Sequence, residues 1–243
     1  MRRFVFYPTC LLFLIFFLPA LVHLVLWVQK DGPRDWHSAD WSSAGILDRP
    51  KPDDARVIVF AARTGGLKGA FATHSWIVLK KPGANRYDRY DVVGWGKPVR
   101  KNAYDADGRW YSNEPKIQFE VSGPRAASLI PRIEGAIRRY RWSDYGDYSL
   151  WPGPNSNTFV ASIIRAVPGF NAQTPSSAVG RDYPEDGRWW RIVNGNLYAT
   201  LGGYIGFNVS RSIGFEMNFL GLVAGFNHAR REIKLPGFGN IDL

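Results

Sequence analysis

Hydrophobic and polar positions divide the chain into three unequal parts. No charged side chain occurs between Arg3 and Lys30. A helix needs roughly 20 apolar residues to cross a bilayer, and this run supplies them. It exceeds the core of a signal peptide, about 7–15 residues, and no A-x-A-like cleavage site is evident. The pattern therefore predicts an uncleaved single-pass membrane anchor over residues 1–30, kinked at Pro8 and Pro19, with Trp27 in the interfacial belt. Residues 31–55 are rich in Pro, Ser and Asp and read as a polar linker. Residues 56–243 read as one folded domain.

Within that domain, "RVIVFAAR", "HSWIVLKK", "RYDRYDVVGWG" and "KIQFEV" have the length and apolar content of strands, separated by turn signals such as "PGAN". Leu129, Ile130, Ile133, Ile137 and Tyr140 recur at helical spacing, with Pro131 either in the first turn or at a kink. A second apolar helix, "VASIIRAVPG", follows "WPGPNSNTF". The Gly-rich stretch over 202–226 allows two readings, paired strands or a second membrane span. The alternation of Phe215, Met217 and Phe219 with Glu216 and Asn218 favours strands. The final "REIKLPGFGNIDL" reads as one last strand and its tail. Strands first and few helices predict an α+β fold, with helices on one face of a largely antiparallel sheet.

The formal charge of +10 allows an anionic partner without naming one. Arg2, Arg3 and the N-terminal amine favour an inside N-terminus, while Lys30 and Arg34 on the other flank weaken that preference. The expectation is a bacterial inner-membrane protein whose domain is periplasmic. That placement ranks nucleic acid last among partners, although "RRYRWSDYGDY" interleaves basic and aromatic side chains. Cys10, the one cysteine, lies in the apolar run, so neither an intramolecular disulfide nor a CxxC site is available. The four histidines form no HExxH pair, and neither a metal nor a cofactor is expected.

The candidate chemistry rests on two residues. His74 opens a predicted strand, and Ser156 stands at the start of a predicted helix. A serine hydroxyl becomes a useful nucleophile when an imidazole takes its proton, and a third polar group commonly orients that imidazole. Asp88 and Asp91 are both candidates for the third role, because a one-residue change of register exchanges the faces of their strand. Backbone N–H groups at the helix start can donate to an oxyanion. Ser and Asn are equally the preferred helix caps, so "PNSN" is also what a plain cap looks like. Asn155 and Asn157 flank the serine, and Trp95, Trp110 and Trp151 are candidate stacking surfaces for a ligand, or else core residues.

"THSWIVLK", "YDVVGWG" and "WPGPNSNTF" resemble a bacterial family known as domain of unknown function 3750, from about Arg56 to the C-terminus. A more distant resemblance is to the circularly permuted papain-like fold of NlpC-type amidases and lecithin:retinol acyltransferase. There a strand histidine comes first and an Asn-Cys-x-x-Phe helix start follows. His74, Asn155 and Phe159 match that pattern, and Ser156 falls on the cysteine. The resemblance implies a hydrolase or acyltransferase acting on an amide or ester in the cell wall or envelope lipids. The serine in place of cysteine leaves open a catalytically inactive module that binds glycan, peptide or lipid.

Overall fold

The computed structural model describes residues 2–30 and 35–243, with side chains from Phe6 onwards in the first segment. Arg34, on the outer flank of the predicted anchor, lies outside the described residues, as do the side chains of Arg2 and Arg3.

The N-terminal run is helical throughout. Helix α1 (Arg2–Leu12) passes through a π-helical turn (Phe13–Phe17) into helix α2 (Leu18–Val28). The π turn falls just before Pro19, whose ring would crowd the carbonyl four residues back, and a wider turn relieves that clash. Phe6–Val28, 23 residues, is long and apolar enough to cross a membrane. One stripe of this helix packs on the rest of the chain. Phe16, Ala20 and Trp27 are buried, and Trp27 Nε1 donates to the Gly66 carbonyl at 3.0 Å.

The first sheet comprises β1 (Arg56–Arg63), β2 (Thr73–Lys80), β3 (Asp88–Val92), β4 (Val99–Lys101) and β5 (Lys116–Ser122). Its order is β4-β3-β2-β1-β5, and every neighbouring pair is antiparallel. β1 and β2 are covered on both faces, which is why they read as near-continuous apolar runs rather than alternating ones. On one face, helices α3 (Gly123–Arg138) and α4 (Ser156–Ala166) set Ile133, Phe159 and Ile163 against Val57, Val59, Ile77 and Leu79. Pro131 lies inside α3.

The opposite face carries Ile58, Phe60, Trp76 and Val78 beneath Trp110, Trp41 and Tyr104. Trp41 comes from the segment expected to be a linker. From there the chain lies on the sheet, bridging Ser43 to Gly108. The Asp107 carboxylate accepts from the backbone of Ile46 at 2.7 Å and of Leu47 at 3.0 Å. This segment is therefore part of the aromatic layer that covers His74.

The second sheet is a seven-stranded antiparallel meander in chain order: β6 (Trp190–Val193), β7 (Asn196–Leu201), β8 (Ile205–Ser210), β9 (Gly214–Phe219), β10 (Leu222–Asn227), β11 (Glu232–Leu235) and β12 (Gly239–Asp242). Residues 202–226 are thus paired strands. The C-terminal segment, expected to be one strand and a tail, is instead a hairpin of two, turned at Gly237 with φ +81°. The architecture is α+β with antiparallel sheets and one N-terminal apolar helix.

Candidate functional site

The start of α4 settles which residue is the cap. Asn155 Oδ1 accepts from the backbone N–H of Asn157 at 2.9 Å and of Thr158 at 3.1 Å. Thr158 Oγ1 in turn accepts from the Asn155 N–H at 3.1 Å, which closes a capping box. Ser156 is therefore the first residue inside the helix, and its hydroxyl bonds to no described residue. The same box consumes N–H groups that the sequence offered to an oxyanion. The Ser156 N–H is the first-turn donor left over, since Phe159 N–H goes to the Asn155 carbonyl.

Asn155 and Asn157 are both buried and hold the helix start to its neighbours. Asn155 Nδ2 donates to the carbonyls of Leu150 and Val179. Asn157 Nδ2 donates to Val179 and to Thr73, both at 2.8 Å. The last bond joins the neighbour of Ser156 to the neighbour of His74. Gly180 makes room for the cap: a Cβ there would lie 2.2 Å from Asn155 Nδ2, and its φ is +94°.

His74 is buried on the aromatic face of the first sheet. It stacks on Trp110 with centroids 3.7 Å apart and planes 6° apart. Its Nε2 lies 3.4 Å from Asp91 Oδ2, the same oxygen that Arg89 Nη2 reaches at 2.8 Å. Register explains why Asp91 has this place. Val78 pairs with Arg89 and Ile77 with Tyr90, so Asp91 comes opposite Trp76, on the face that His74 also occupies. Asp88 is on the other side of that alternation, bonded to Asn102 and paired with Lys101 at 3.0 Å, and does not meet His74.

Burial pushes the His74 imidazole below its ordinary 6.5; Asp91 pulls it up in part, and the Arg89 charge opposes that. Burial alone would raise the Asp91 carboxyl. The bond from His74 and the Arg89 charge outweigh it and hold Asp91 below the usual carboxylate range. The ground state is thus a neutral imidazole beside a carboxylate. With Nε2–H directed at Asp91, the Nδ1 lone pair is left without a bond to any described residue.

Ser156 and His74 both line one cavity of about 510 Å³. They reach it from opposite sides of the sheet, since α4 packs on the face that carries Ile77 while His74 shares its face with Trp76. No hydrogen bond joins them among the described residues. Trp95, Trp110 and Trp151 all border the same space. Trp110 is buried against His74, so it is a wall, while Trp95 and Trp151 remain 42% and 45% exposed. Arg89 was not among the candidate site residues; its guanidinium lies 4.0 Å from the Trp76 ring. The available signal was its spacing, two residues before Asp91. Nor were Phe17, Ala20 and Leu21, which bring the N-terminal helix to the cavity wall, among those candidates. Among the described residues, no group of three or more His, Cys, Asp or Glu is placed to hold a metal ion.

Neither a curated protein nor a solved structure matches the chain. The sequence model of one family matches residues 54–183. That span is more than half of the chain and takes in the first sheet, both of its helices and every polar residue named above at the cavity. The meander lies beyond it, so the match is shorter than the resemblance expected to reach the C-terminus. The chain belongs to the family described as protein of unknown function (DUF3750).

Proposed function

We propose that this chain is a membrane-anchored hydrolase or acyltransferase of the bacterial envelope, acting on an ester or amide with an apolar acyl group. The observation that carries the reading is that Ser156 is relieved of capping by Asn155 while its hydroxyl shares a cavity with His74. In the proposed reaction the Ser156 oxygen attacks the acyl carbon as His74 Nδ1 takes its proton. The Ser156 N–H donates to the resulting oxyanion. Collapse expels the alcohol or amine, which leaves with the proton from His74, and water or a second alcohol then removes the acyl group. Asp91 holds the imidazole in one tautomer and offsets its positive charge.

Several features support the substrate class and the scaffold. Phe17, Leu21, Phe71 and Leu222 give the cavity apolar walls suited to an acyl chain. A strand histidine followed by an Asn-Ser-x-x-Phe helix start is the order expected of a permuted papain-like domain. A serine at the cysteine position removes the option of a resting thiolate and makes the reaction depend on His74 as base. The helix Phe6–Val28 would be the single inner-membrane anchor, with the domain in the periplasm.

One observation favours a second reading, a non-catalytic module that holds lipid, glycan or peptide. His74 is clamped flat against Trp110, and no hydrogen bond joins it to Ser156 among the described residues. In that case the exposed parts of Trp95 and Trp151 would contact the ligand. Reaction with a serine-directed fluorophosphonate separates the two, because only an activated Ser156 is labelled.

A further inference from the structure

The alternation of the meander is inverted with respect to water. A sheet with one solvated face turns its polar side chains outwards. Here Leu201, Ile205, Phe207, Val209, Met217 and Phe226 point away from the protein and are 41–69% exposed. Register keeps them together: Phe207 pairs with Met217 and Val209 with Phe215, which pairs with Phe226. The polar partners in the alternation are the buried ones. Asn208, Glu216, Asn218, Asn227 and Lys234 are each at most 5% exposed. They are also satisfied: Lys234 Nζ meets Glu216 Oε1 at 2.5 Å, Arg181 pairs with Glu216, and Asn218 donates to the Gly203 carbonyl. The inward polar face is thus a built arrangement, and an apolar face of this extent in water is a marked liability.

The outward face is continuous with the N-terminal helix. Phe219 contacts Phe16 and Phe17, with ring centroids 5.6 and 6.0 Å away. Phe219 lies on the apolar face, paired with Ile205 and Leu222. Meanwhile Trp27 docks on Gly66 near the end of the helix. From Trp27 to Phe16 the helix rises about 16 Å at 1.5 Å per residue. If Trp27 marks the interface of a bilayer with a core of about 30 Å, the end of β9 lies near the middle of that core. The ends of the strands agree with such a placement. Leu220 turns at the end beside the helix, while Arg211, Arg230 and Arg231, all exposed, turn at the opposite end, where headgroups would be.

We infer that the outer face of β6–β12 is seated in the hydrocarbon of one membrane leaflet, alongside the N-terminal helix, with its arginine-bearing turns among anionic headgroups. The inference rests on the reading of Phe6–Val28 as a membrane span, and not on any activity of Ser156. Under it, the cavity walls formed by Phe17, Leu21, Leu220 and Leu222 face lipid, and an acyl chain enters from the side without crossing water.

The test uses the full chain with Cys10→Ser, reconstituted in vesicles of phosphatidylethanolamine and phosphatidylglycerol. Single cysteines at four exposed positions, Phe207→Cys, Phe226→Cys, Leu14→Cys and Arg86→Cys, carry a nitroxide. The expected result is a collision rate several-fold higher with oxygen than with an aqueous nickel chelate at positions 207, 226 and 14, and the reverse at 86. Aqueous access at 207 and 226 with position 14 shielded overturns the inference and leaves the helix as a span. Aqueous access at all four overturns both. Strong spin–spin broadening at 207 and 226 also overturns it, because a second copy of the chain would then cover the face.

Discussion

Asn157 Nδ2 donates to the Thr73 carbonyl at 2.8 Å, so the residue after Ser156 and the residue before His74 are bonded directly to each other. This tie joins the helix start to the strand start and sets how the two candidate groups face the cavity. Removing it leaves a buried carbonyl unpaired, which costs about 1–3 kcal/mol. Asn157→Ala should lower the midpoint of urea unfolding accordingly. It should also abolish fluorophosphonate labelling of Ser156, although both reacting side chains remain. Labelling at the wild-type rate would show that the tie does not position the pair.

The adjacent cap gives a contrast that separates stability from chemistry. Asn155→Ala removes the acceptor of two first-turn N–H groups and should cost about 1–2 kcal/mol. Ser156→Ala removes a hydroxyl with no bonded partner and should change the unfolding free energy by less than about 0.5 kcal/mol. Chemical denaturation of the two variants checks the difference. Equal losses would mean that Ser156, too, holds the helix start.

His74 makes stability depend on pH in a definite direction. Its folded-state pKa is below the unfolded value of about 6.5, so in the window under 6.5 the unfolded chain binds the proton first. Stability should therefore fall as pH is lowered from about 7 to about 5. In His74→Gln that part of the decline should vanish. Asp91 and Glu216, both held below their ordinary values, add a further loss only as pH falls below 3.8 and 4.5 respectively. Thermal midpoints of wild type and His74→Gln across this range check the assignment. Parallel curves would contradict it.

The meander is fastened by Glu216, which holds both Arg181 and Lys234 in a buried cluster. Burial alone would raise the Glu216 carboxyl, and the two cations outweigh that to hold it low. Glu216→Gln takes the nearest counter-charge from two buried cations and leaves them the more distant carboxylates of Asp182, 3.6 Å from Arg181, and Glu232, 3.7 Å from Lys234. The expected cost is about 3–5 kcal/mol, read from denaturant unfolding. Glu216→Gln combined with Lys234→Met should recover part of it, because one of the stranded charges is then gone.

The elements were legible where one local signal decided them. The helical spacing after "PNSN" located α4, and the apolar run located the N-terminal helix. A lone histidine at a strand start was enough to mark His74. What stayed hidden depended on relations between elements. Asp88 and Asp91 differ only by register, and a sequence gives no register for β3 against β2. Asn155 and Ser156 are adjacent cap formers, and their backbone bonds alone tell them apart. The meander shows the deeper limit. The alternation of Phe215, Met217 and Phe219 with Glu216 and Asn218 predicts strands correctly, but it does not say which side meets water. Glu216 is 2% exposed and Met217 is 44% exposed, the reverse of the usual arrangement. The burial of Arg89 stayed hidden for a related reason, since charged residues are rarely buried unless paired, and its place beside Asp91 depends on the same register.

Under the proposed function, Ser156 is an activated nucleophile served by His74. The most direct test is to treat membranes bearing the full-length chain with a fluorophosphonate and map the adduct by mass spectrometry. One adduct is expected, on the peptide containing Ser156, lost in Ser156→Ala and slowed at least tenfold in His74→Gln, equivalent to about 1.4 kcal/mol or more of activation free energy. An unlabelled Ser156 in a folded wild-type chain, or equal labelling in His74→Gln, would contradict that function.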